Sequence, residues 1–167
     1  MIADPKSPVC RKPAGGVAAV ELTAAANVRD VRFDTAGLCS QLDLADEPAV
    51  MQCELLEERS SLVETISAEG GAVAVNHRLQ LVADRNLAHA WLQPEFVAEA
   101  LRRGVVAVVT LADGRRLLAG ASSKFGLEQP LRLKTLKVAS GTRALEAPTV
   151  ELALESSDTA FAAQMFN

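Results

Sequence analysis

Two histidines, three cysteines and one Ser-Ser-Lys string are the residues of this 167-residue chain whose types could do chemistry. His77 and His89 stand twelve positions apart with no cysteine near either, so they do not make the clustered ligand set that a zinc site needs. His77 alternates with apolar neighbours and reads as an interior or interface histidine; His89 reads as solvated. Cys10, Cys39 and Cys53 are odd in number and widely spaced, which argues against a disulfide framework, and none has a base nearby in sequence. Gly120-Ala-Ser-Ser-Lys124-Phe-Gly126 matches neither the nucleophile elbow nor the phosphate-binding loop. Ser122 or Ser123 with Lys124 would make a formal Ser-Lys dyad, but neighbouring residues on an extended chain point to opposite faces. The carboxylates form no spaced pair; Glu54, Glu57 and Glu58 read as a wet strand end. On these grounds the sequence predicts no catalytic, cofactor-binding or metal residue, and no enzyme.

Composition narrows the partners. The net charge is −4, and the Arg102-Arg103 and Arg115-Arg116 doublets are too small for a nucleic-acid footprint. Five Phe, one Trp and no Tyr leave little material for base- or sugar-stacking platforms. The core must therefore be built from Val, Leu and Ala. No stretch of 18 apolar residues reads as a membrane span and no secretory signal is visible, so the expectation is a soluble chain made in the cytoplasm.

The elements that would position these residues are mostly strands. Ala72–Asp84 alternates cleanly, with Val73, Val75, His77, Leu79, Leu81 and Ala83 on one face and Asn76, Arg78, Gln80 and Asp84 on the other. Asp113-Gly114 between two apolar runs predicts a hairpin with a two-residue type I′ turn. Val17–Ala25, Val28–Phe33, Val50–Glu57, Leu62–Ile66, Leu131–Val138 and the run from Val150 read as further strands. Within Leu131–Val138 the apolar positions change parity, which predicts a bulge near Lys134-Thr135. One helix is predicted over 94–103, with Pro94 at its start, Gly104 just past its end, and Phe96, Val97, Ala100 and Leu101 as its apolar stripe. Trp91 reads as a plug between the strongest strand and this helix.

The fold class that follows is mainly β with some α: an antiparallel sandwich or small barrel of seven to eight strands flanked by one helix. The organisation expected is an extended arm over 1–16, rich in Pro and Gly, a sandwich domain over 17–160 with a long loop at 34–49, and a C-terminal tail over 161–167. Phe161, Met165 and Phe166 in that tail call for a surface to pack on, either in this chain or on a neighbour.

The second half carries a resemblance. RLLAGAS, then SSKFGLEQP, LRLKTLKV, SGT and TVELALES with SSDTAF behind it, together about Ala72–Phe161, resemble tail-associated virion proteins of tailed bacteriophages, notably those of Bacteroidetes phages and prophages. The layout is similar to the tail-tube superfamily. What the resemblance implies is a structural part of the tail or neck (tube, tube terminator or baseplate-proximal) that forms a homo-oligomeric ring by edge-to-edge strand pairing. It implies other tail or neck proteins as partners, a place in the virion, and neighbour contacts through the 1–16 arm and the 34–49 loop. Two other classes stay open: a monomeric β-sandwich adaptor or ligand-binding module, and a small hydrolase-like enzyme.

Overall fold

Val105–Val109 is buried residue by residue, which sets the architecture: an unbroken apolar run in a strand means cover on both faces. A computed structural model of the protein describes residues 16–45, 50–56, 59–142, 144–158 and 160–165. The expected 1–16 arm lies, but for Gly16, outside the described residues, as do Pro48 and Phe166.

The fold is mainly β with one helix. The strands are β1 (Val17–Ala24), β2 (Val28–Phe33), β3 (Cys39–Leu44), β4 (Val50–Cys53), β5 (Ser61–Glu69), β6 (Ala72–Asp84), β7 (Val105–Leu111), β8 (Arg116–Ala119), β9 (Arg132–Ala139), β10 (Thr149–Asp158) and β11 (Ala163–Gln164). Helix α1 (Pro94–Arg102) lies between β6 and β7 in the chain. All strand ladders are antiparallel and make three sheets: five strands in the order β11-β8-β7-β1-β4, four in the order β5-β6-β10-β9, and the β2-β3 hairpin.

The period of two divides β7 between two cores. Val105, Ala107 and Val109 join Val20 and Leu22 of β1, Leu79 and Leu81 of β6, and Val150, Leu152 and Leu154 of β10 in the space between the two large sheets. Val106 and Val108 point the other way and, with Leu118 of β8, meet Val28, Val31, Phe33, Leu42 and Leu44 of the β2-β3 hairpin. The molecule therefore has eleven described strands in three layers, against the two layers of seven to eight that the sequence predicts.

The extra layer comes from the segment expected to be a loop. Within 34–49, Cys39–Leu44 is a strand, and only residues 34–38 form the turn, closed by the Asp34 carboxylate accepting from the Ala36 and Leu38 N–H groups at 2.9 Å. The signal was hidden by a bulge. Arg32 pairs with Gln41 but Phe33 with Cys39, so Ser40 is the extra residue. It shifts the inward positions from odd (Cys39) to even (Leu42, Leu44), which destroys visible alternation.

The same device in β9 was legible. Ala153 pairs with Thr135 but Leu154 with Leu133, so Lys134 is the bulge, and Leu133 and Leu136 both reach the inter-sheet core. β5 is longer than the expected Leu62–Ile66 and runs the full Ser61–Glu69 against β6. The β7-β8 turn differs in type. Leu111 N–H donates to the Arg115 carbonyl at 2.8 Å and Gly114 N–H to the Leu111 carbonyl at 2.9 Å, with Gly114 at φ 92°. That is a three-residue loop whose last residue is left-handed, not a two-residue I′ turn.

Helix α1 begins with Pro94 as expected and exits through Gly104, whose φ of 84° is left-handed and whose N–H donates to the Glu99 carbonyl at 2.9 Å. A Cβ at Gly104 would sit 2.6 Å from the Leu131 carbonyl oxygen, so the helix exit is packed directly on the start of the β9 segment. The buried side of the helix is Ala100, with Phe96 packed on the core, whereas Leu101 is 54% exposed and lies off the predicted stripe. Trp91, in the 3-10 turn His89–Leu92, is fully enclosed in the inter-sheet core, the plug the sequence predicts.

These positions separate two substitutions one residue apart. Ala100→Asp buries a charge and should lower stability by several kcal/mol, about 3 or more. Leu101→Asp should change it by less than about 1 kcal/mol. Urea unfolding midpoints of the two variants check the helix face; equal losses would show that it is assigned wrongly.

Candidate functional site

Two of the buried polar side chains, His77 and Asp158, lie at one end of the four-stranded sheet. His77 lies on the inward face of β6, in line with Val75, Leu79 and Leu81, and is almost fully buried. The cross-strand partner of His77 on β5 is Glu64, and on β10 it is Ser156. Directly opposed residues of an antiparallel pair share a face, so the Glu64 carboxylate is delivered to the ring. Glu64 Oε1 lies 3.6 Å from His77 Nδ1, an ion-pair contact longer than a hydrogen bond. The other ring nitrogen, Nε2, is 2.9 Å from the Ala160 carbonyl oxygen and donates to it. Glu64 Oε1 also accepts the Ala162 N–H at 3.1 Å. Asp158, at the end of β10, is buried close by.

Burial by itself depresses the proton affinity of the ring and is the largest single influence on it. The Glu64 carboxylate, the Ala160 carbonyl and the Asp158 charge act against it, and together they hold the His77 pKa above its ordinary 6.5. A histidine raised in this way adds stability in full below about pH 6.5. That contribution is lost as pH rises through its folded-state value.

The Ser-Lys string does not converge. Ser122 is buried and its hydroxyl accepts the Phe125 N–H at 3.1 Å, while Ser122 and Gly126 exchange backbone hydrogen bonds at 3.0 and 2.8 Å. Ser123 and Lys124 are exposed, and the Lys124 ammonium lies 5.3 Å from the centre of the Phe125 ring. The string is a tight turn held by its own hydroxyl. His89 is exposed in the 3-10 turn, and among the described residues no three His, Cys, Asp or Glu side chains gather as a metal-ligand set. Cys39 and Cys53 are free and buried in different cores. Burial raises the thiol pKa of Cys39, and that of Cys53 to about 11 despite a hydrogen bond with Trp91.

The second feature is the set of outer strands. β9 is guarded by its bulge at Lys134, by Arg132 and Lys137, and by helix α1 lying against it. β4 has four residues and β11 two. β5 is different: nine residues, bonded to β6 alone, with no Pro, Lys or Arg and with Glu64 turned inward. Beyond Val75, β6 pairs only with β5, so the hairpin tip overhangs the sheet. There Ile66 and Val73, each 53% exposed, continue the apolar inward face into solvent, and Val63 is 51% exposed on the other face. Sequence alternation marked Val73 as inward, but only the strand pairing shows that it lies beyond the end of β10 and is left half-exposed.

No helix among the described residues is long and apolar enough to cross a membrane. No family model matches the chain, and no curated protein or solved structure matches it.

The thiol environments yield a test. In Cys10→Ser, Cys39 and Cys53 should react with a disulfide reagent at pH 8 at least about a hundredfold slower in the folded protein than in urea, since the thiolate is the reactive form. Fast labelling of either thiol in the folded state would show that these cores are open.

Proposed function

We propose that this chain is a structural subunit of a bacteriophage tail or neck that self-assembles into rings through strand edges. The observation that carries the proposal is β5, a nine-residue outer strand without the lysines, prolines or bulges that commonly keep an edge from pairing, its one inward charge, Glu64, being engaged by His77 and the Ala162 N–H. In a lone monomer such an edge is a liability; in a ring it is the joining surface. The overhanging apolar patch of Ile66, Ala68 and Val73 beside it supports the same reading, because exposed apolar patches mark interaction surfaces. The resemblance of Ala72–Phe161 to tail-associated virion proteins supplies the setting: tube, tube terminator or baseplate-proximal position, in the virion, among other tail or neck proteins. The reading assigns no catalysis, cofactor or nucleic-acid contact. It also moves the expected neighbour contacts away from 39–44, whose apolar side chains are spent on the β2-β3 layer.

A monomeric adaptor is the second reading, and one observation favours it. A groove of about 400 Å3 runs between α1 and β1, lined by Leu22, Met51, Phe96 and Val105 with Glu95 and Glu99 at its edge. Apolar walls with a few polar groups are what a small ligand or a peptide side chain fits.

Light-scattering mass across a concentration range, with negative-stain images of the largest species, separates the two. Rings or tubes are expected. Val63→Lys combined with Ile66→Lys should abolish them while leaving the melting transition within a few degrees, since both side chains are exposed. A strict monomer at every concentration, alone and with tail extracts, would favour the adaptor; rings unaffected by the double variant would remove β5 from the joint.

A further inference from the structure

The C-terminal segment is a strap across the molecule, and a buried titratable group holds it. After β10 ends at Asp158, the chain leaves the four-stranded sheet, passes Ala160 and Ala162, and joins the five-stranded sheet as β11 on the edge of β8. Its own sheet contacts are slight. Ala163 and Gln164 pair with Leu118 and Leu117, the Met165 N–H donates to the Arg116 carbonyl at 2.9 Å, and Met165 bridges to Cys39. Phe161 is 54% exposed. Ala163 and Met165 also pack against the core beneath the β2-β3 hairpin, and the crossing that precedes them is held by two polar ties to the β5-β6 pair. His77 Nε2–H donates to the Ala160 carbonyl at 2.9 Å, and the Ala162 N–H donates to Glu64 Oε1 at 3.1 Å.

The two ties share one proton-dependent joint. Because Nε2 must carry a hydrogen to reach Ala160, a neutral ring would turn the bare lone pair of Nδ1 toward the Glu64 carboxylate 3.6 Å away. Nδ1 has no other hydrogen-bond partner among the described residues. With the ring protonated, Nδ1–H faces the carboxylate and the contact is attractive. With the ring neutral, it is a lone pair against a partly buried carboxylate. The charges that act on the ring are Glu64 from β5 and Asp158 at the end of β10; the described residues of the strap meet this joint through the Ala160 carbonyl and the Ala162 N–H.

We propose that His77 and Glu64 form a proton-operated latch on the C-terminal strap: with His77 protonated the strap is held on β8, and on loss of that proton the strap loosens and bares the β8 edge. The direction follows from the raised proton affinity of His77: the latch is closed in mild acid and weakens as pH rises through the folded-state titration of the ring. β8 freed of β11 is a four-residue edge whose Leu117 and Leu118 backbone is left unpaired on that side, a place where a strand of another chain could add. The latch does not depend on the tail reading.

Amide hydrogen exchange of residues 160–165 in the full-length protein, corrected for intrinsic exchange, tests it between about pH 5 and 8. NMR of the His77 ring supplies the titration in the same samples. Relative to the β6-β10 ladder, strap protection should fall by about tenfold or more across the titration, and His77→Gln, which keeps a donor for Ala160 without titrating, should show a flat ratio. Glu64→Gln should shift the ring titration to lower pH while keeping an acceptor for Ala162. Strap protection that follows the ladder at every pH overturns the latch. So does His77→Gln retaining the wild-type pH dependence, or an unmoved titration in Glu64→Gln. If His77→Gln does not fold, the wild-type exchange and the Glu64→Gln titration decide between the same outcomes.

Discussion

The burial of β7 on both faces is the constraint on which the rest of this structure depends. A strand of five consecutive buried residues needs one apolar layer on each side and a hydrogen-bonded neighbour on each edge. The four-stranded sheet supplies one layer through Leu79, Leu81, Leu152 and Leu154, and the β2-β3 hairpin supplies the other through Phe33, Leu42 and Leu44. With so few aromatics, both layers are filled by branched aliphatics whose fit depends on register. Bulges, among them those at Ser40 and Lys134, adjust that register where a regular strand would have turned its apolar side chains outward. The helix, the Trp91 plug and the close Gly104–Leu131 approach then seal one end of the inter-sheet space.

The opposite end is sealed differently. There the hairpin of β5 and β6 outruns β10, and the inward face changes from leucine to His77 and Glu64. A buried histidine beside a partly buried carboxylate is a costly way to close a core unless the pair is satisfied, and here its partners include the backbone of the C-terminal crossing. The arrangement ties the last part of the chain to its middle. It also brings together in one region a titratable histidine, an overhanging apolar tip and a long outer strand.

The elements that the sequence made legible are those with an unbroken period. Ala72–Asp84 matches β6 residue for residue, the helix starts at Pro94 and exits at Gly104, and the parity change in Leu131–Val138 is the Lys134 bulge. The elements it hid are those whose period is broken or whose environment is made by another segment. The Ser40 bulge disguised β3 as loop. Leu101 satisfied the helical stripe by spacing, yet the helix rotates to bury Ala100, because a small residue lets the helix sit close to the sheets. His77 was placed correctly on the inward face, but its meaning lies in Glu64, thirteen positions earlier, and in Ala160, far later in the chain.

By itself, then, the sequence determined that this chain is β-rich and antiparallel, with an aliphatic core, one helix, and Trp91 and His77 turned inside. These are consequences of local periodicity and composition, which a strand or helix expresses wherever it packs. Only the tertiary structure decided that there are three layers, that β5 is left at an edge with a bare apolar tip, and that the C-terminal strap is tied to His77 and Glu64. Those depend on which strands pair and in what register, and pairing is a contest between distant segments that no local pattern records.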